Sequence, residues 1–253
     1  MKPRQPKDII KKELAIIDKL TGKKKIDNEL LHKLRTTYKK LRALVRMQLG
    51  MGNAKVLPAF LNKLYKTAGN IRDLLLHVEY IKEATREKNN YPEAYIKTIK
   101  KEAAKHKKKL KSHFKDFDKK GLSKEILDAL PKEATGTKDL LRWQRQQYVA
   151  IKKLAVKAHT DKTIHDIRKR VKDVLYVFTH ADEQAHVKQI ERLEILAADL
   201  GQYQDYGVQL QILKEHTAEI LPEESIVLKK AAQIWTAGKK RLKKRILKNL
   251  SLE

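Results

Sequence analysis

Five cationic or ionisable side chains recur at helical spacing along one segment: His32, Arg35, Lys39, Arg42 and Arg46. At about 100° per residue they share an arc only about 80° wide, directly beside an apolar stripe on the same helix. Like charges at these spacings repel by a few tenths of a kcal/mol per pair, so a helix without an anionic ligand favours alternating signs. The row therefore predicts a surface that binds an anion, and the alternative is a solvated charged face. Its length of roughly 20 Å suits a linear polyanion better than a point ligand.

A second basic row repeats this design about half the chain further on, at an offset of 132–133 residues. The order of the matches is kept across three predicted helices, which predicts an internal duplication. The acidic residue that recurs, Asp73 in the first half and Asp205 in the second, could orient a basic side chain or be an ordinary surface carboxylate. The matched pairs are His32 and His165, Arg35 and Arg168, Lys39 and Lys172, Gly69 and Gly201, Asp73 and Asp205, Lys107 and Lys239, and Lys111 and Lys243.

Helical periodicity runs through nearly every segment, and no convincing alternation of period two is found, so the sequence predicts an all-α fold. Asp27 and Asp161 are predicted N-caps. The loosest stretch is 118–136, which contains two glycines and a proline. We expect a single domain over 1–253, with repeats at 24–118 and 137–250 joined by a connecting segment at 119–136. The predicted helices are about 7–20, 27–50, 54–88, 92–117, 137–159, 161–181, 184–219 and 222–250.

The composition predicts an anionic partner. Lys and Arg number 58 against 31 for Asp and Glu, and the formal net charge is +27. Such an excess destabilises the folded state by self-repulsion unless an anion offsets it. Cysteine is absent, which excludes disulfides and thiolate sites. No apolar signal segment or membrane-spanning run is found, so we expect a cytoplasmic protein without membrane insertion.

Two other classes of function remain open at this point. A nucleic-acid binder would use the same cations, although aromatics are only 6% of residues and the basic rows carry none for base stacking. A phosphorelay or phosphate-processing enzyme would use a helical histidine, but no H-E-x-x-H element or nucleophile–base pair is evident. We therefore expect no catalytic residue, metal or cofactor. His106 and His113 lie on an apolar arc, which favours a place in the core.

Four motifs in order resemble the CHAD (conserved histidine α-helical) domain family over nearly the whole chain. They begin at His32 (H-x-x-R-x-x-x-K-x-x-R), Gly69 (G-x-x-R-D), His165 (H-x-x-R-x-x-x-K) and Leu200 (L-G-x-x-x-D). Leu175 stands where the family commonly has an arginine, so the second half is expected to bind less strongly.

This resemblance implies two antiparallel helical bundles related by a pseudo-twofold axis. It also implies a basic channel between them that holds inorganic polyphosphate, and a role in polyphosphate granules or metabolism. The candidate ligand residues are His32, Arg35, Lys39, Arg42, Arg46, Arg72, Lys107, Lys111, His165, Arg168, Lys172, Lys239 and Lys243.

Overall fold

The structure, a computed structural model, describes residues 6–50, 57–85, 91–131, 136–157, 160–178 and 187–251. Within these ranges the chain is helical and contains no strand, which confirms the predicted all-α class. No helix in the described part of the chain is long and apolar enough to cross a membrane. The helices are α1 (Pro6–Thr21), α2 (Asn28–Leu49), α3 (Ala59–Thr85), α4 (Glu93–Lys115), α5 (Lys119–Asp128), α6 (Thr137–Ala155), α7 (Asp161–Phe178), α8 (Val187–Glu215) and α9 (Pro222–Ser251), with a 3-10 turn at Thr217–Glu219.

The helices form two bundles that pack in the same order. In the first bundle α1 lies on α2, α2 on α3 and α3 on α4; in the second, α6 lies on α7, α7 on α8 and α8 on α9. Helices α2 and α7 pack directly against each other and join the bundles at the centre. The shared packing order is an observation about structure, whereas duplication of the sequence stays a prediction.

The apolar stripes of α2 and α7 are buried as the helical spacing predicts. In α2, Leu31, Leu34 and Leu41 are at most 1% exposed, and Leu49 at the end of the stripe is half-buried. In α7, Ile167 and Val171 are fully buried. Burying a side chain of this size contributes about 1.5–3 kcal/mol, which fixes the rotation of each helix about its axis. The basic row beside each stripe is consequently held at the edge of the core.

The contact between α2 and α7 combines apolar packing with an ion pair. Ala43 and Met47 of α2 pack into the core of the second bundle. Asp173 of α7 is 5% exposed, and its Oδ2 accepts a 2.8 Å hydrogen bond from Nη1 of Arg46. Nη2 of Arg42 lies 3.7 Å from Oδ1 of the same carboxylate. These contacts set how the two basic rows face each other.

The connecting segment 119–136 is more ordered than the sequence predicts, because residues 119–128 form the helix α5. Asp118 caps this helix by accepting a 3.0 Å hydrogen bond from the amide of Gly121. Leu122 and Ile126 join the core of the first bundle, and α5 packs on α1. Tertiary burial therefore stabilises a helix that glycine and a short length disfavour locally.

The two predicted N-caps have different outcomes. Asp27 caps α2, accepting a 2.9 Å hydrogen bond from the amide of Leu30. Asp161 is the first residue of α7, and the capping acceptor is Oγ1 of Thr160, 3.1 Å from the amide of Thr163. The predicted cap at Asp161 was thus wrong by one residue, and its carboxylate is used instead in contacts with α8 and α9.

Candidate functional site

Lys39 lies at the centre of a group of cations contributed by three helices. Its side chain is half-buried, and this burial is the main reason that its pKa falls to about 7. Four neighbouring cations lower this pKa further, in the order Arg168, Arg35, Arg72 and Lys172. We call these five residues the central basic cluster. Helix α2 supplies Arg35 and Lys39, α3 supplies Arg72, and α7 supplies the other two.

The guanidinium of Arg35 packs against Tyr65 and Gly69 of α3, and we call these two contacts the seat of Arg35. Its guanidinium carbon lies 4.8 Å from the centroid of the Tyr65 ring, a cation–π geometry. The Tyr65 ring in turn stacks on Tyr38 at 4.3 Å. A Cβ atom at Gly69 would lie only 2.0 Å from Nη1 of Arg35, so the absence of a side chain makes room for the guanidinium. Gly201, its counterpart in α8, has nothing within 4 Å and has no such function.

Two aromatic rings outside the basic rows, one in the apolar stripe of α2 and one on α3, pack against arginines of the α2 row. Tyr38 is buried and Tyr65 is half-buried, and the second ring packs beneath Arg35. The guanidinium carbon of Arg42 lies 5.9 Å from the centroid of the Tyr38 ring. The rings therefore orient arginines. The available signal in the sequence was Tyr38 itself, because it lies one turn from Arg35 and one turn from Arg42 on α2.

The two histidines lie at the edges of the central basic cluster. Partial burial lowers the pKa of His32, and Arg72, Lys39 and Arg35 lower it further. Burial also lowers the pKa of His165, although a hydrogen bond with Gln204 opposes this effect. Nδ1 of His165 lies 2.9 Å from Oε1 of Gln204 on α8. The neutral form of both histidines is therefore favoured, although the side chain of His32 is exposed and that of His165 is half-buried.

Asp73 brings a carboxylate against the cluster. Burial raises its pKa, while Arg35 and Arg72 lower it and Asp205 raises it. A half-buried carboxyl group whose pKa responds to two arginines differs from an ordinary surface residue. Asp73 therefore fits the role of orienting a basic side chain better than that of a surface carboxylate. Arg35 and Arg72 are the cations that lower its pKa.

Arg42 and Arg46 continue the row on α2 but have a protein partner. Both lie against Asp173, as described above, and Nε of Arg42 is buried without a hydrogen-bond partner. The sequence analysis missed Asp173. The sequence offered little signal for it, because at about 100° per residue Asp173 lies about 130° around α7 from the centre of the apolar stripe. The carboxylate of Asp173 therefore compensates part of the positive charge of these two arginines.

Lys239 lies in a different environment from the central basic cluster. Its Nζ is 2.5 Å from Oδ2 of Asp161 and 5.0 Å from the centroid of the Tyr203 ring. It lines a pocket of about 430 Å³ formed by α3, α4, α8, α9 and the first residue of α7. Carboxylates in its lining come from Asp73, Glu102, Asp161 and Glu215. Burial raises the pKa of Asp161, but the contacts of its carboxylate with Lys239 and Tyr203 and the nearby charge of Lys243 lower it overall.

Lys107 and Lys111 also lie apart from the central basic cluster. They line a separate pocket of about 480 Å³ next to the α1–α2 turn. The structure therefore brings five of the thirteen candidate residues together around Lys39 and places the two histidines at their edge. Lys107 and Lys111 line a pocket of their own, whereas the pocket that Lys239 lines also includes Asp73, the carboxylate beside the central basic cluster.

The central basic cluster offers hydrogen-bond donors and positive charge but no evident means of covalent chemistry. An arginine presents five N–H donors in a planar fork, and a lysine presents three on a flexible stem, so both suit phosphate oxygens. In the described part of the chain, no group of three or more His, Asp or Glu side chains is arranged to hold a metal ion. Such an arrangement can bind an anion.

Comparison with known proteins agrees with the fold and the motifs. The family model for the CHAD domain matches residues 10–246. The crystal structure of the CHAD domain from the plant Ricinus communis is similar with a TM-score of 0.77 at 14% identity, over 97% of this chain and 90% of that chain. PptA from Streptomyces chartreusis is similar with a TM-score of 0.66 at 11% identity, over 98% of this chain and 100% of that chain. A search of curated proteins found no match. At these identities the structural likeness concerns the fold alone.

Proposed function

This chain belongs to the CHAD domain family, and from that premise and its central basic cluster we propose that it binds inorganic polyphosphate without catalysing a reaction. The observation that carries the proposal is the burial of Lys39 among four other cations from three helices. By itself a cluster of this kind is destabilising, because burial removes water from the charge and like charges repel. A polyanion offsets both costs.

A chain of phosphates fits the cluster better than a single phosphate. Contributions come from α2 and α3 of the first bundle and from α7 of the second, so the cations line a contact between bundles rather than one helix end. Along α2, Arg35 and Lys39 are separated by roughly 6 Å at about 1.5 Å per residue, and His32 and Arg42 extend the row in both directions. A linear ligand would meet these side chains in succession.

The seat of Arg35 supports phosphate binding over the recognition of bases. Sequence-tolerant binding of single strands depends on aromatic faces that are open to stack with bases. Here the Tyr65 ring is covered by Arg35 and stacked on Tyr38. Nucleic acid therefore enters the experiment below as a competing polyanion. A role at polyphosphate granules in the cytoplasm belongs to this proposal and follows from the same ligand.

Calorimetry with long-chain polyphosphate, orthophosphate and duplex DNA at matched salt tests the proposal. We expect tight binding of polyphosphate only. Arg168→Ala should weaken it by about 1–3 kcal/mol, the range for a lost charge-assisted hydrogen bond. Lys162→Ala is the charge-matched control, because Lys162 is exposed on the same helix. Equal affinity of the two variants, or tighter binding of DNA, would overturn the assignment. Sustained release of orthophosphate from polyphosphate by the wild type would disprove the absence of catalysis.

A further inference from the structure

Five lysines converge on one concave surface outside the central basic cluster. Its remaining lining residues are Ile26 and Ala104, and no carboxylate is among them. The volume is about 480 Å³. We call this surface the lysine pocket. Two lysines come from the α1–α2 turn and three from α4, and they are Lys24, Lys25, Lys107, Lys108 and Lys111.

The absence of a carboxylate distinguishes the lysine pocket from its neighbours. The pocket that contains Lys239 holds four carboxylates, and a pocket at the beginning of α4 combines Lys97 and Lys100 with Glu93. Lys107 and Lys111 are spaced i,i+4, at which like charges destabilise a helix by a few tenths of a kcal/mol. The lysine pocket therefore concentrates positive charge that no side chain lining it compensates.

The turn that carries Lys24 and Lys25 is held in place by its own contacts. The amide of Lys23 donates a 3.2 Å hydrogen bond to the carbonyl of Leu20, at the end of α1. On the other side, Ile26 is 6% exposed and Asp27 caps α2. The two lysines are thus presented to α4 by a backbone that is anchored at both ends, so less ordering is needed when an anion binds.

We propose that the lysine pocket is a second phosphate-binding site, which holds a further stretch of the polyphosphate chain that occupies the central basic cluster. This inference rests on the proposed function and adds a dependence on chain length. Both parts of the lysine pocket connect to helices that carry the central basic cluster. The α1–α2 turn continues into α2, and α4 packs on α3. A chain that reaches both sites binds the second one at a high effective concentration, whereas a short chain occupies only one. Flexible lysine ammonium groups suit a polymer whose phosphates need no single register.

The test compares two triple variants that remove the same charge. Lys24→Ala/Lys25→Ala/Lys108→Ala removes three lysines of the pocket. Lys101→Ala/Lys105→Ala/Lys109→Ala removes three exposed lysines of α4 that do not line it. Affinity is measured by calorimetry for long-chain polyphosphate and for tripolyphosphate, and thermal melting checks the fold of each variant.

We expect the pocket variant to bind long-chain polyphosphate about tenfold or more weakly than the control variant, and tripolyphosphate equally well. Its log–log salt slope for the long chain should also be less steep, by roughly one unit for each phosphate that a lysine no longer neutralises. Equal affinity of the two variants for the long chain would overturn the inference, as would an equal weakening for both ligands. Arg168→Ala separates the two proposals, because it should weaken both ligands; if it weakens neither, the proposed function itself is wrong.

Discussion

Replacing Lys39 with methionine should make the protein more stable and at the same time a poorer binder of polyphosphate. The two effects have one cause, which is that the buried ammonium group is unfavourable until an anion arrives. Methionine keeps an unbranched side chain of similar length and removes the charge. The four remaining cations would then no longer be repelled by a fifth positive charge among them.

The magnitude follows from the pKa of Lys39, which is lowered from 10.5 to about 7, mainly by burial. A difference of about 3.5 units corresponds to an upper limit of about 5 kcal/mol at 1.36 kcal/mol per unit. Because the side chain is partly screened by solvent, we expect about 2 kcal/mol or more at neutral pH. Since the pKa is lower in the folded state, folding releases a proton between the two values. Wild-type stability should therefore rise as pH increases from about 7 towards 10.5, and the variant should lack this contribution.

Urea denaturation between pH 6 and 9 measures the change in stability, and calorimetry with long-chain polyphosphate measures the decrease in affinity. Lys33→Met is the control, because Lys33 is exposed on the same helix and its substitution removes the same charge. The reasoning is refuted if Lys39→Met is less stable than Lys33→Met at pH 7, or if it binds polyphosphate as tightly as the wild type.

Three further predictions address other parts of the site. Gly69→Ala should displace Arg35 and weaken polyphosphate binding by about 1–3 kcal/mol in calorimetry. Gly201→Ala is the control, because a Cβ atom there meets nothing within 4 Å and should leave the affinity unchanged. Similar affinities of the two variants would show that the position of Arg35 does not matter for binding. Asp173→Ala should lower the free energy of unfolding by about 2–3 kcal/mol in urea, less than for a fully buried pair because its two arginine partners are partly exposed; a change near zero would contradict the ion pair. Burial lowers the pKa of His165 below its usual 6.5, and a bound polyanion should raise it, so the affinity for polyphosphate should increase as pH falls through that region. His165→Gln should reduce this pH dependence, and a pH-independent affinity of the wild type would remove this histidine from the ligand set.

The sequence by itself determined the helices and the buried face of each central helix. Periodicity is a local property, so the positions of Leu31, Leu34 and Leu41 in the core could be read from their spacing alone, and the burial of these residues confirms it. The family also followed from motifs within single helices. Helix α5 could not be predicted in the same way, because its stability comes from burying Leu122 and Ile126 in the core of the first bundle.

The membership of the central basic cluster was decided by tertiary structure. Helical spacing placed Arg35, Lys39, Arg42 and Arg46 on one arc of α2 and gave no reason to assign them different roles. The packing of α2 on α7 then separates them: Lys39 meets cations of α7, while Arg42 and Arg46 meet the carboxylate of Asp173. Periodicity within one helix carries no information about a partner on another helix more than a hundred residues away. Charge pairing across helices depends on where their axes cross, and that is set by the packing of the cores.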